Sequence, residues 1–180
     1  MDKVTKQQRR AAKVINFGVL YGMSPKGLSD AADMSFYEAK QFIERYFELR
    51  APMRKYLDAQ LRQAKEQGYV ETLFGRRRPT PDVNAPNFLV RAAAERAAAN
   101  MPIQGTEADL MKKAMLAVDR ALPEGAKLIL QIHDSLIIEC LEQDAEQLAS
   151  LLKEKMEQVA PELPVKLAVD VKIGRNWGEL

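Results

Sequence analysis

The chain holds one cysteine, Cys140, and one histidine, His133, in 180 residues. A lone cysteine excludes an internal disulfide, and Cys140 lies in an apolar run, where a buried structural thiol is expected rather than a nucleophile. A lone histidine excludes a multi-histidine metal site. No apolar stretch approaches the roughly 20 residues of a membrane span, and Met1-Asp2-Lys3 does not open a signal peptide, so an intracellular soluble protein with no membrane partner is expected. Internal repeats and low-complexity tracts are also absent. What is present is length enough for one sizeable core, or two lobes sharing one. Charge is uneven beneath a net +2: through Thr106, 18 Lys and Arg face 11 Asp and Glu, whereas from Glu107 onward 9 face 14. A polyanion is expected to meet the first half.

Helix signals dominate that half. Thr5 with Gln8 fits a capping box, and a helical pattern runs from there to Tyr21, where Gly22 and Pro25 supply the stop. Ser24 to Asp33 reads as a short helix or turn. Ser35 with Glu38 caps a helix reaching about Leu49, and Pro52 begins another running to about Gln67. Gly68 to Leu73 and Arg76 to Thr80 flank Phe74-Gly75 as a small hairpin, followed by a loop to Pro86. Asn87 to Asn100 is alanine-rich and helical; Pro102 is expected to kink or restart it before helix resumes to about Leu122. Lys127 to Leu141 reads as an apolar hairpin, Asp144 to Val159 as a helix and Val165 to Ile173 as a last strand. Helices first, then strands packed with helices, give an α+β fold class, with lobes at 1–86 and 87–180.

Three groups of residues carry chemistry. Arg9, Lys13, Phe17 and Tyr21 recur every four residues and span about 18 Å of one broad helix face. The two cations lie toward the N-terminal end, where helix N–H groups favour anions, and the two aromatics follow. Such a face can grip a triphosphate and stack a base or sugar; an amphipathic helix with a basic rim has the same spacing. Gly18 inside it costs about 1 kcal/mol relative to Ala, which a close approach of backbone or ligand explains. Arg96, Asn100 and Gln104 repeat the spacing above the methyl surface of Ala92 to Ala99. Donors on that face can check base-pair shape in a minor groove, where every correct pair offers acceptors; close packing of the alanines on a neighbouring helix is the alternative. The third group is His133-Asp134-Ser135, a break between Leu128 to Ile132 and Leu136 to Leu141 that holds a carboxylate at a rigid tip suited to a hard cation. Asp is also a good turn former. Arg76, Arg77 and Arg78 form a basic cluster open either to phosphate or to solvent.

Arg9-x3-Lys13-x3-Phe17-Gly18-x2-Tyr21-Gly22 and Gln131-Ile132-His133-Asp134 resemble motifs B and C of the family A DNA polymerases, the bacterial DNA polymerase I group. The resemblance extends through Arg96-x3-Asn100-x3-Gln104-Gly105-Thr106 and Gly174-Arg175-Asn176-Trp177, covering essentially the whole chain as fingers helices followed by part of a palm, with the motif B helix at 5–21 and the motif C hairpin at 127–141. It implies that Arg9 and Lys13 bind the incoming dNTP phosphates and offset their charge during catalysis. It further implies that Phe17 packs on the sugar, Tyr21 guards the templating base, Arg96, Asn100 and Gln104 contact the primer-template minor groove, and His133 meets the primer terminus. Asp134 becomes one of two carboxylates holding two Mg²⁺ ions. Arg76 and Arg77 are further candidates for DNA contact.

Two departures matter. The family's usual Glu after His-Asp is Ser135 here, as in single-subunit RNA polymerases, although Asn16-Phe17-Gly18 favours the DNA polymerases. The second metal-binding Asp belongs to motif A, upstream of motif B, and no segment matches it; Phe47-Glu48-Leu49-Arg50 echoes only its tail. The expectation is a fragment of a bacterial cytoplasmic DNA-directed DNA polymerase, inactive alone and needing a polypeptide that carries motif A. A non-catalytic nucleic-acid-binding module is the competing reading, and a single-subunit RNA polymerase fragment the more distant one.

Overall fold

The computed structural model describes residues 4–180, with backbone alone at residues 7, 10 and 11; Met1-Asp2-Lys3, read above for a signal peptide, lies outside them. The chain is α+β, and it divides into two compact units, 1–104 and 105–180.

In the first unit, local sequence signals set the helix ends. Helix α1 (Lys6–Leu20) starts at Thr5, whose hydroxyl accepts from the Gln8 N–H at 3.1 Å while the Gln8 side chain accepts from the Thr5 N–H at 2.9 Å. It ends in a Schellman turn: Gly22 takes φ +80°, its N–H donates to the Val19 carbonyl, and the Met23 N–H donates to Gly18 at 2.7 Å. The Met23 side chain then folds back over Gly18, where an added Cβ would lie only 2.9 Å from its sulfur. Close approach is therefore what the helical glycine serves.

Helices α2 (Pro25–Ala32) and α3 (Phe36–Glu48) are capped by Ser24 and Ser35, and α4 (Ala51–Gln67) ends at left-handed Gly68. At Ser35, hydrogen bonds from its hydroxyl and backbone hold the Glu38 carboxyl below its usual range. Val19, Leu28, Ala39 and Tyr46 bury together and fasten α1, α2 and α3, each large apolar side chain contributing about 1.5–3 kcal/mol by leaving water. Strands β1 (Tyr69–Glu71) and β2 (Arg77–Pro79) form the small antiparallel hairpin. Its root is fixed by Thr80, whose N–H donates to Gly68 and whose buried hydroxyl donates to Ala64.

Helix α5 (Phe88–Asp119) continues through Pro102, so of the kink or restart expected there the restart does not occur. The ring removes one N–H and crowds the carbonyl of Ala98, yet Ala98, Met101 and Pro102 are all buried, and that packing outweighs the loss. The compact units meet within α5 at 104/105, whereas the lobes read from sequence met at 86/87. The cause is core sharing: Ala98 and Met101 join Ala64, Val70 and Val83, whereas Met111, Ala114 and Val118 join the second unit's core.

In the second unit, β3 (Lys127–Ile132) and β4 (Ser135–Glu139) pair antiparallel, with a bulge at Ile129 between the Leu128 and Leu130 pairs. Ser135 belongs to β4, paired with Ile132, so the break is the two residues His133 and Asp134. Helix α6 (Ala145–Glu157) packs Leu152 and Met156 against Leu136 and Val118. The last strand expected at 165–173 does not form. Leu167, Val169 and Val171 are half-buried and alternate with exposed Ala168, Asp170 and Lys172, the period of a strand, but among the described residues no strand pairs with them to complete a ladder. The Val169 N–H instead donates to the Glu157 carboxylate at 3.1 Å.

Candidate functional site

Helix α1 presents Arg9, Lys13, Phe17 and Tyr21 to solvent. Neither cation meets an acidic group among the described residues, so both charges stay available for an anion. The Phe17 and Tyr21 rings stack nearly parallel, 11° apart with centroids 6.3 Å apart, and Phe17 is 54% exposed. A stacked aromatic pair left open to water offers a flat surface for a base or sugar.

The same end of α1 meets α5. A Cβ placed on Gly22 would come within 3.2 Å of the Arg96 side chain, so the turn after Tyr21 seats the stem of the first residue in the Arg96, Asn100, Gln104 series. Further along, the Asn100 amide donates to Gln104 Oε1 at 3.0 Å, which fixes two members of the series against each other. The Asn100 Oδ1 is buried with no partner among the described residues. A buried acceptor left open has a cost of roughly 1–3 kcal/mol, recoverable from an incoming donor such as the guanine N2 amino group, the one base donor in the minor groove.

Among the arginines of the small hairpin, Arg77 is engaged: it pairs with Glu71 at 3.2 Å and lies 4.4 Å over the Tyr69 ring. The Arg76 N–H donates to the Thr72 hydroxyl, and Arg78 is exposed.

In the second unit, the β3–β4 turn puts His133 at φ +53°, a left-handed conformation costly for a residue with a Cβ. Gln131 Nε2 donates to the His133 carbonyl at 3.1 Å and braces that turn. A pocket of about 560 Å³ opens there, lined by Gln131, His133 and Asp134 from the hairpin and by Glu107, Ala108 and Lys112 from α5. The sequence reading reached the hairpin side and missed Glu107 and Lys112. The signal was available, because the four-residue series 96, 100, 104 continues to 108 and 112.

The sequence matches the DNA polymerase family A profile over residues 1–179. The chain belongs to DNA polymerase family A. It is 52% identical over 170 residues to the thermostable DNA polymerase I of Thermus thermophilus, covering 94% of this chain and 20% of that protein. Against DNA polymerase I of Streptococcus pneumoniae the figures are 45% over 181 residues, 99% and 20%. A solved structure described as the POL domain of Pol1 from M. smegmatis in complex with DNA primer-template and dNTP is similar with a TM-score of 0.90 and 41% identity, over 98% of this chain and 31% of that one. This family A chain thus spans about a fifth of the length of its curated relatives.

Family A DNA polymerases generally use divalent metal ions, and Asp134 offers the hard oxygen donor such an ion takes. Among the described residues no group of three His, Cys, Asp or Glu side chains could hold a metal. Glu107 and Asp134 are the carboxylates of the pocket at the β3–β4 turn, and together they fall short of such a three-ligand group.

Proposed function

We propose that this chain is the part of a DNA-directed DNA polymerase that binds the incoming dNTP and the primer-template and supplies one of the two metal-binding carboxylates, Asp134. The observation that carries this reading is the seating of Arg96 against Gly22, which brings the end of a basic and aromatic helix face to the start of a groove-reading series. In this reading Arg9 and Lys13 hold the triphosphate, Phe17 and Tyr21 the sugar and the templating position, and Arg96, Asn100 and Gln104 the minor groove. His133 meets the primer terminus, and Arg76 and Arg77 contact the DNA backbone, Arg77 sharing its charge with Glu71. Residues 1–86 serve as fingers and 87–180 as palm. The complete enzyme transfers a nucleotidyl group to a primer 3′ hydroxyl in the bacterial cytoplasm, with two Mg²⁺ ions supplying the electrostatic clamp. Among the described residues no helix is long and apolar enough to cross a membrane.

One carboxylate cannot position two ions about 4 Å apart, so the partner is a polypeptide carrying motif A and the rest of the polymerase. A non-catalytic nucleic-acid-binding module is favoured instead by the fact that no group of three His, Cys, Asp or Glu side chains among the described residues could hold a metal. The family match gives no support to the RNA polymerase reading of Ser135.

Primer extension separates these. The purified 180-residue chain is expected to give none, and the chain with a motif A polypeptide is expected to extend a primer from template. Extension by the chain alone would overturn its incompleteness, and no extension by the assembly would favour the binding module. In the assembly, Lys13→Ala is expected to raise KM for dNTP and Gln104→Ala to raise KM for primer-template. Unchanged kinetic constants with lowered melting temperatures for both variants would return these helix faces to a purely structural role.

A further inference from the structure

Two neighbouring lysines on α5 meet different fates. Lys113 pairs with Glu162 at 3.4 Å. Lys112 lines the pocket at the β3–β4 turn, and its ammonium has no hydrogen-bond or ion-pair partner among the described residues. The pocket holds two carboxylates, Glu107 and Asp134, and neither comes within the 4.0 Å of an ion pair with it. Four residues away on either side along α5 stand Ala108 and Leu116, so no counter-ion comes from the i,i+4 spacing. Asp109, three residues back, is buried and already has a partner.

An exposed ammonium left unpaired in a pocket it shares with His133 and Asp134 is a site for an anion, and that neighbourhood says which anion. We propose that Lys112 contacts a phosphodiester of the nucleic-acid strand whose end lies at the His133-Asp134 turn. This deepens the polymerase reading above and rests on it. Lysine suits the task as a strongly hydrated point charge on a flexible stem, which takes a phosphate from several directions and carries no base preference. It also offsets the repulsion that Glu107 and Asp134 exert on the same strand. A free dNTP presents the same phosphate chemistry, so the two sources need separate arms.

The test is binding of a fluorescent primer-template to the full 180-residue chain across a KCl series, without dNTP. Lys112→Gln is expected to weaken binding severalfold, equally on unrelated sequences, and to lower the slope of log K against log salt by about 1, the counter-ion released by one phosphate contact. Lys112→Arg is expected to restore the slope. A competition arm with dNTP alone is expected to give the same affinity for Lys112→Gln as for the parent. A Lys112→Gln chain with parental slope and affinity would overturn the inference and leave the polymerase reading standing. A lowered affinity with an unchanged slope and a lower melting temperature would make Lys112 structural, and lost dNTP binding would reassign it to the nucleotide. Failure of the parent chain to bind primer-template would remove the polymerase reading itself, and this inference with it.

Discussion

The β1–β2 hairpin spends its polar groups within the protein. Arg77 pairs with Glu71 and covers Tyr69, the Thr72 hydroxyl accepts from the Phe74 and Arg76 N–H groups, and Val70 is fully buried. The β3–β4 hairpin leaves its groups open. Asp134 and the His133 ring have no partner among the described residues, the turn carries a positive φ, and Ile129 and Leu130 are 46% and 43% exposed on a strand whose one ladder is with β4. Local geometry alone does not separate a structural hairpin from a functional one. What separates them is where the hydrogen-bonding capacity ends: satisfied groups stabilise, whereas open ones beside a strained turn are available to a ligand or a missing neighbour.

The strongest way to break this contrast is at the two charged groups. With a motif A polypeptide present, Asp134→Ala is expected to abolish primer extension while primer-template affinity stays near the parent value, because a lost metal ligand acts on the transition state. Arg77→Ala is expected to raise KM for primer-template and leave kcat within a few-fold. An Asp134→Ala rate within about tenfold of the parent, a barrier change under about 1.4 kcal/mol, would remove Asp134 from the chemistry and make the two hairpins alike.

Helix boundaries were legible because short-range chemistry sets them. Thr5 with Gln8, Ser35 with Glu38, and Gly22 after the last turn all act within four residues, and each stands where the sequence placed it, whereas Gly68, expected to open the hairpin strand, ends α4 in a left-handed conformation. Of the kink or restart expected at Pro102, the restart does not occur, because burial of Ala98 and Met101 on its own face holds the helix continuous, and burial is not local. The strand at 165–173 was misread for the opposite reason: alternation records which side chains turn inward, whereas a strand also needs a neighbour to bond. At the site, the spacing of Arg9 to Tyr21 and Arg96 to Gln104 was visible and runs on to Lys112, but that Glu107 and Lys112 share a pocket with the β3–β4 turn follows only from the packing of α5 beside that turn.

The second way to sharpen the comparison is to supply the neighbour. Adding the motif A polypeptide is expected to slow amide exchange in β3 and at 165–173, and to leave β1–β2 unchanged, since Val70 is already buried there whereas Ile129 and Leu130 of β3 are exposed. A ligand that binds only the folded form at about 100 times its Kd stabilises by about 2.7 kcal/mol, well within reach of exchange measurements. Full protection of Leu128 to Ile132 in the free chain, with no response to the partner, would mean that these residues already close their own sheet.

The smallest expected effect lies inside the closed hairpin. The Arg77–Glu71 pair joins side chains that are 63% and 38% exposed, so solvent screening limits its worth to roughly 0–1 kcal/mol. Glu71→Gln should lower the stability of the first unit by no more than that, and a double-mutant cycle with Arg77→Gln should return a coupling of the same size. The more telling readout is functional. Once Glu71 no longer holds the guanidinium, Arg77 is released toward solvent, and primer-template binding should tighten slightly and become steeper in salt. If Glu71→Gln leaves both affinity and salt slope unchanged, Arg77 belongs wholly to the structure of its hairpin, and the division between a closed hairpin and an open one becomes complete.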